Sequence, residues 1–363
     1  MSASATYQAA LLRQQAEIIL KGWGMADDMA EQTAELMVET DLLGIDSHGI
    51  SMLPHYYKLL KAEMWHPHAR AKIVGETPVT AVIDGCHSLG HATSMLAMET
   101  AVGKARTLGM GAVVVRNSNH FGAAGLYARH AARQGMIALV TSTTRGRLLV
   151  PTGAQWPVLG TNPIAFAAPA AKNDDFVLDM ATTTVAANKV KVYDFHNKPL
   201  PAGWVVDDKG DTVTDSQRGM DFVFQQFAGG LTPLGGQQEN GGHKGYGLAM
   251  MAQILSGPLA DAAFGATRQE GGMPNIGHFF LALDPKAFRG EQGFETSLDE
   301  IIDTLHATPP SEESAPVLVA GEPENQCHRQ RSLEGIPLPP ALLTQLRDLC
   351  RQEGFDYLLE EKS

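Results

Sequence analysis

The sequence predicts an α/β fold, and two observations carry that prediction. From Thr77 onward, β-branched apolar runs alternate with helical stretches: 78–84, 110–116 and 136–142 read as strands, 93–108 and 123–134 as helices. The chain is also long enough, at 363 residues with 44% hydrophobic content, to bury a substantial core divided between two or three substructures. The alternation alone favours a parallel sheet. No Gly-x-Gly-x-x-Gly follows any strand, however, so an ordinary Rossmann dinucleotide site is not supported.

Before the alternating part, residues 6–22 read as an amphipathic helix with Leu11, Leu12, Ile18 and Ile19 on its apolar stripe. Gly22-Trp23-Gly24 breaks it. Asp27 is placed to cap a second helix running to Leu43, with Gly44 as its stop. A third helix is expected from Pro54 to about Met64. Further on, 176–180 and 278–283 look like strands, and 244–255 like a helix opened by Gly241-Gly242. Prolines and glutamates between Thr308 and Pro323 read as a long surface connection, leading to a closing helix at about 340–352. The expected division is 1–76, helical; 77–305, an α/β core; and 306–363, a linker and helix packing back on that core.

The formal charge of −12 argues against non-specific nucleic-acid binding and against an anionic membrane surface. No stretch approaches 18 uninterrupted apolar residues, and the N-terminus lacks a signal-peptide apolar region. Cys86, Cys327 and Cys350 are widely spaced and form neither a zinc-ligand pair nor a disulfide framework. A cytoplasmic protein is the expectation. His66-Pro67-His68 has no Cys, His, Asp or Glu partners clustered nearby, so no metal site is expected.

Five stretches could carry chemistry. Asp46-Ser47-His48-Gly49-Ile50 follows a helix end, where an imidazole is free to face a cleft and pass a proton near neutral pH. Taken alone, it reads more readily as a histidine bracing a turn. Asn117-Ser118-Asn119-His120-Phe121-Gly122 lies at the C-terminal end of a buried strand, where α/β proteins bind ligands. Gly122 permits close backbone approach, and Ala123-Ala124 open a helix whose N–H groups suit a phosphate. A capping turn with a structural histidine is the competing reading. Gly160-Thr161-Asn162-Pro163 suits a small polar substrate or is simply a turn. Asp179-Met180-Ala181-Thr182 can hold a ribose or amide beside a flat ring, or merely cap a helix. Gly241-Gly242-His243-Lys244-Gly245 would seat a phosphate, although it is not a P-loop.

Taken in order, these pieces resemble the type-2 malate/L-lactate dehydrogenase family, over nearly the whole chain from Asp46-Ser-His-Gly to Gly335-Ile-Pro-Leu. The resemblance implies a non-Rossmann fold, in which a mainly antiparallel cofactor-domain sheet packs with helical domains, and a homodimer. It implies NAD or NADP as cofactor and a small 2-oxo/2-hydroxy acid as substrate, with His48 the acid/base and Ser47 orienting it. His120, Phe121, Gly122, Ala123 and Ala124 would lie against cofactor and substrate, with His120 also in the catalytic set. Thr161 matches a substrate position, and Asp179, Met180 and Ala181 the nicotinamide-ribose segment. His243, Lys244, Gly321 and Glu322 match further cofactor positions.

Two departures bear on the substrate. Many family members carry an arginine four residues after the histidine, where this chain has Met52, which resembles the hydroxycarboxylate dehydrogenase branch. An apolar or aromatic substrate side chain is therefore expected. The family's cyclic imino-acid reductases carry an aspartate where this chain has Lys189. Imine reduction stays as the alternative reaction, and a ligand-binding protein without catalysis as the alternative of another class.

Overall fold

The computed structural model describes residues 5–267, 271–290, 293–312 and 315–360. The chain opens with strand β1 (Ala5–Tyr7) and helices α1 (Ala9–Gly22) and α2 (Asp27–Leu42), then a 3-10 turn at Ile50–Met52 that runs into α3 (Leu53–Lys61). The central stretch is β2 (Lys72–Glu76), β3 (Thr80–Asp84), α4 (Gly90–Leu108), β4 (Met110–Ser118), α5 (Gly125–Ala132), β5 (Ile137–Ser142), β6 (Ile164–Ala168) and β7 (Phe176–Met180). An excursion follows: α6 (Ala187–Phe195), β8 (Val205–Val206), α7 (Ser216–Phe224) and β9 (Gly230–Leu231). The remainder is α8 (Gly242–Ser256), β10 (Ile276–Leu283), α9 (Lys286–Arg289), α10 (Phe294–His306), α11 (Glu322–Glu334), β11 (Ile336–Leu338) and α12 (Pro340–Glu353).

Seven strands form the main sheet in the order β2-β3-β4-β10-β5-β6-β7, and only the β3–β4 pair is parallel. The mainly antiparallel sheet implied by the family resemblance is therefore what forms, and the parallel sheet suggested by alternation is not. The reason is β10. It inserts between β4 and β5 and runs antiparallel to both, so these two strands share a direction without being neighbours. The helical crossovers thus carry the chain back to the same end of the sheet, as alternation implies, but leave a gap that a distant strand fills.

One sheet face packs against α4 and α5. Val113, Val115, Val140 and Phe280 meet small residues such as Ala97, Ala101, Ala128 and Ala131, which let the helices approach closely. A second core joins α1, α2, α3 and α12 around Trp65, Tyr56, Leu12 and Ile19. Here the described chain ends meet. β1 pairs with β11, the Tyr7 hydroxyl donates to the Leu359 carbonyl at 3.2 Å, and Gln15 bonds the backbone at Asp356 and Leu358. α12 thus packs with the N-terminal helices. A third cluster, Val190, Leu200, Val205, Phe222 and Leu231, holds the excursion together.

Candidate active site

The His48 loop is built from α2 outward. Gly44, at φ +80°, turns the chain out of the helix, a conformation without penalty only for glycine. Asp41, in the last turn of α2 and 2% exposed, accepts the Ile50 N–H at 2.9 Å, at the start of the 3-10 turn. Leaving that N–H buried without an acceptor would cost about 1–3 kcal/mol, so Asp41 ties the far end of the loop back to the helix. Gly49 lies so close to this carboxyl that any side chain there would overlap it. Burial pushes the Asp41 carboxyl up to about 8. From α11, Arg331 donates to the Asp41 carbonyl at 2.6 Å and pairs with Asp46. The loop is therefore anchored at both ends, and His48 projects between the anchors.

Ser47 Oγ lies 2.7 Å from His48 Nδ1, and the His48 ring stacks on that of His120 at 5.4 Å between centroids. His120 is fixed more tightly. Its Nδ1 takes a 2.7 Å hydrogen bond from the fully buried Tyr56 hydroxyl and another, at 3.3 Å, from the Gly122 N–H. Two donors on Nδ1 leave the proton on Nε2, so neutral His120 presents an N–H donor. Burial lowers the pKa of both imidazoles. For His120 the neighbouring His48 and His91 push it further, well below the usual histidine range. Both rings are thus neutral at pH 7. Phe121 stacks on His278 at 4.5 Å, and His278 is held by Ser142 and Ser118 at 2.8 and 2.9 Å, which stiffens the loop from below.

These groups face a cavity of about 510 Å³. Of the residues expected in the site, Ser47, His48, Met52, His120, Phe121, Gly122, Ala123, Ala124, Thr161, Asp179, Met180 and Ala181 all line it. Four do not. His243 and Lys244 are exposed on the first turn of α8. Gly321 packs against Val177, while Glu322 pairs with His306 at 2.8 Å and accepts the Val319 N–H. Glu324, one residue pair further along α11, lines the cavity instead.

The walls fit a nicotinamide dinucleotide. Gly122 to Gly125 and Ala181 leave a slot with no bulky side chain, and Asp179, at the end of β7, brings a carboxylate to it. Asp179 Oδ2 accepts the Gly125 N–H at 2.7 Å, and a Cβ at Gly125 would come within 2.9 Å of Asp179. The first N–H of α5 is therefore already occupied. That N–H is not left for the phosphate the sequence suggests at this helix start. Sequence reasoning missed His55 and Arg129, which also line the cavity. Arg145 lines it too, just past the end of β5, and is one of two arginines, with Arg147, that the sequence offers as a pocket arginine in place of one at position 52.

The malate/L-lactate dehydrogenase family model matches residues 7–347. The chain belongs to this family. A malate dehydrogenase of Pyrococcus abyssi is 36% identical over 345 residues, 94% of this chain and 92% of that protein. The solved sulfolactate dehydrogenase of Methanocaldococcus jannaschii superposes with a TM-score of 0.87 at 33% identity, covering 97% of this chain and 98% of that one. A Δ1-piperideine-2-carboxylate reductase from Pseudomonas syringae superposes at 0.82 with 27% identity, over 95% and 100% of the two chains. As a member of the malate/L-lactate dehydrogenase family, the chain is a 2-hydroxyacid dehydrogenase. Among the described residues no helix is long and apolar enough to cross a membrane.

Proposed function

We propose that this dehydrogenase interconverts a 2-oxo acid and its 2-hydroxy acid, with an apolar or aromatic substrate side chain and NAD or NADP as cofactor. The observation that carries the reading is the pair of neutral, stacked imidazoles facing a cavity walled by small residues and Met52. When bound, the nicotinamide supplies or takes up a hydride. His48 moves the proton at the C2 oxygen, and Ser47 holds Nδ1 so that Nε2 serves the substrate. His120 donates its Nε2–H to the same oxygen as charge develops there.

Arg145 is the cation on the substrate side of the cavity, close enough to lower the proton affinity of His55 alongside that residue's burial. It is the partner for the 1-carboxylate, and charge-assisted bonds of this kind contribute about 1.5–3 kcal/mol. The rest of the substrate then meets Met52 and Leu59, an apolar and adaptable wall. The test is kcat/KM for phenylpyruvate against oxaloacetate in wild type and in Met52→Arg. Wild type should favour phenylpyruvate, and the arginine should move the ratio toward oxaloacetate by about tenfold or more. A wild type that already prefers oxaloacetate removes the apolar-pocket reading and supports a dicarboxylate substrate, in keeping with the malate dehydrogenase relative. Imine reduction is disfavoured by Lys189, which stands where the family's imino-acid reductases carry an aspartate; it is exposed and lies over the Trp204 ring at 5.6 Å.

The same reading includes a homodimer and a cytoplasmic setting. Its support for the dimer is α8, which is apolar around much of its circumference and exposes Met250, Met251 and Ile254. For the compartment, the support is three free thiols.

A further inference from the structure

We propose that the Arg129 guanidinium is the counter-ion of the cofactor's pyrophosphate, a role that rests on a nicotinamide dinucleotide occupying the main cavity. Arg129 is four residues after Gly125 on α5, hence on the same face and about 6 Å further along the axis. It is 7% exposed, and it lines both the main cavity and a second one of about 220 Å³.

The other basic side chains of the second cavity each have a carboxylate partner. Arg133 and His328 both meet Glu39 at 3.2 Å, and Arg329 meets Asp174 at 3.2 Å. Arg129 differs. Its hydrogen-bond partner is the neutral side-chain oxygen of Asn325, and among the described residues it has no carboxylate within 4.0 Å. Glu39, Glu324 and Asp175 act on it only from further away. A buried, permanently charged group without a counter-ion is costly, and it lowers that cost by binding an anion from the cavity it faces. Its fork of N–H donors matches paired phosphate oxygens.

The order along the cavity selects which phosphate. From His48 and His120 the wall passes Asp179, hydrogen-bonded to Gly125, and then one helical turn on reaches Arg129. With the nicotinamide at the histidines and its ribose at Asp179, the next group is the pyrophosphate. Beyond Arg129, Arg133 and Arg329 each already meet a carboxylate, Glu39 and Asp174.

The test is calorimetric binding of NADH, NADPH and ADP-ribose to wild type, Arg129→Gln and Arg129→Lys, with thermal unfolding as the check on folding. Arg129→Gln should raise Kd for all three by about 10- to 100-fold, and Arg129→Lys should recover part of the loss. Unchanged affinities overturn the assignment. So does a loss confined to NADPH, which would place Arg129 at the 2′-phosphate, and so does an equal loss in both variants, which would make its role structural. If Arg129→Gln does not fold, Arg129→Lys decides: a several-fold rise common to the three ligands supports the proposal and no rise refutes it. A wild type that binds none of the ligands contradicts the cofactor reading itself.

Discussion

His48→Ala is expected to lower kcat by about 10²–10⁴-fold while cofactor Kd stays within a few-fold. The loop carrying His48 is held by Asp41 and Arg331 through backbone and Asp46 contacts, none of which involves the imidazole, so the substitution removes a proton carrier and leaves the scaffold. The pH dependence provides a second readout. Burial disfavours the charged imidazole and lowers its pKa, so at pH 7 the ring is a free base ready to accept the hydroxyl proton during oxidation. In that direction kcat/KM should be level near neutrality and fall as pH drops through a value below 6.5. In His48→Ala that acid limb should vanish. A variant with near-normal turnover and an unchanged pH profile would remove His48 from the mechanism.

His120→Ala should lower kcat/KM for the 2-oxo acid by about 10²–10³-fold, the scale for losing one donor to a developing oxyanion. A larger share of this loss than for His48 should fall on binding, because His120 shares its wall with Gly122 to Ala124, where the cofactor is proposed to bind. The substitution also strips the buried Tyr56 hydroxyl of its acceptor, so some stability goes with it. Tyr56→Phe separates the two effects. It frees the Nδ1 lone pair from its closer donor and loosens the ring, yet keeps the imidazole, so its kcat/KM should lie between wild type and His120→Ala. If Tyr56→Phe matched His120→Ala, holding the ring in place, rather than the donor itself, would account for the whole effect.

Much of the fold and site was legible because it is local. β7 spans the expected residues, and the helices around 27–43, 93–108 and 340–352 shift by only a few residues at their ends, since apolar period and glycine stops determine them. Strand neighbours are another matter. Nothing in residues 276–283 says that they insert between β4 and β5, more than 130 residues upstream, and nothing in Ala5–Tyr7 announces pairing with β11. Short β-bridged pieces of this kind take their stability from tertiary partners, and their own sequence is a weak guide. At the site, motifs at strand ends converged as expected on one cavity. Arg129 was not legible, because an arginine inside a helix announces neither burial nor the neutral partner it receives from α11. His243 and Lys244 were legible as a glycine-rich helix start suited to a phosphate; both are exposed and stand outside the lining of the main cavity.

Proton and hydride exchange at C2 of a 2-oxo acid, at the His48–His120 site, is tested most directly by reduction with NADH or NADPH deuterated at nicotinamide C4. The product is examined by NMR across a panel of 2-oxo acids, in wild type and His48→Ala. The expected result is deuterium at C2 of the 2-hydroxy acid, on one face only, with the rate of its appearance reduced at least a hundredfold in His48→Ala. Absence of cofactor oxidation with every 2-oxo acid, or undiminished transfer in His48→Ala, would contradict it.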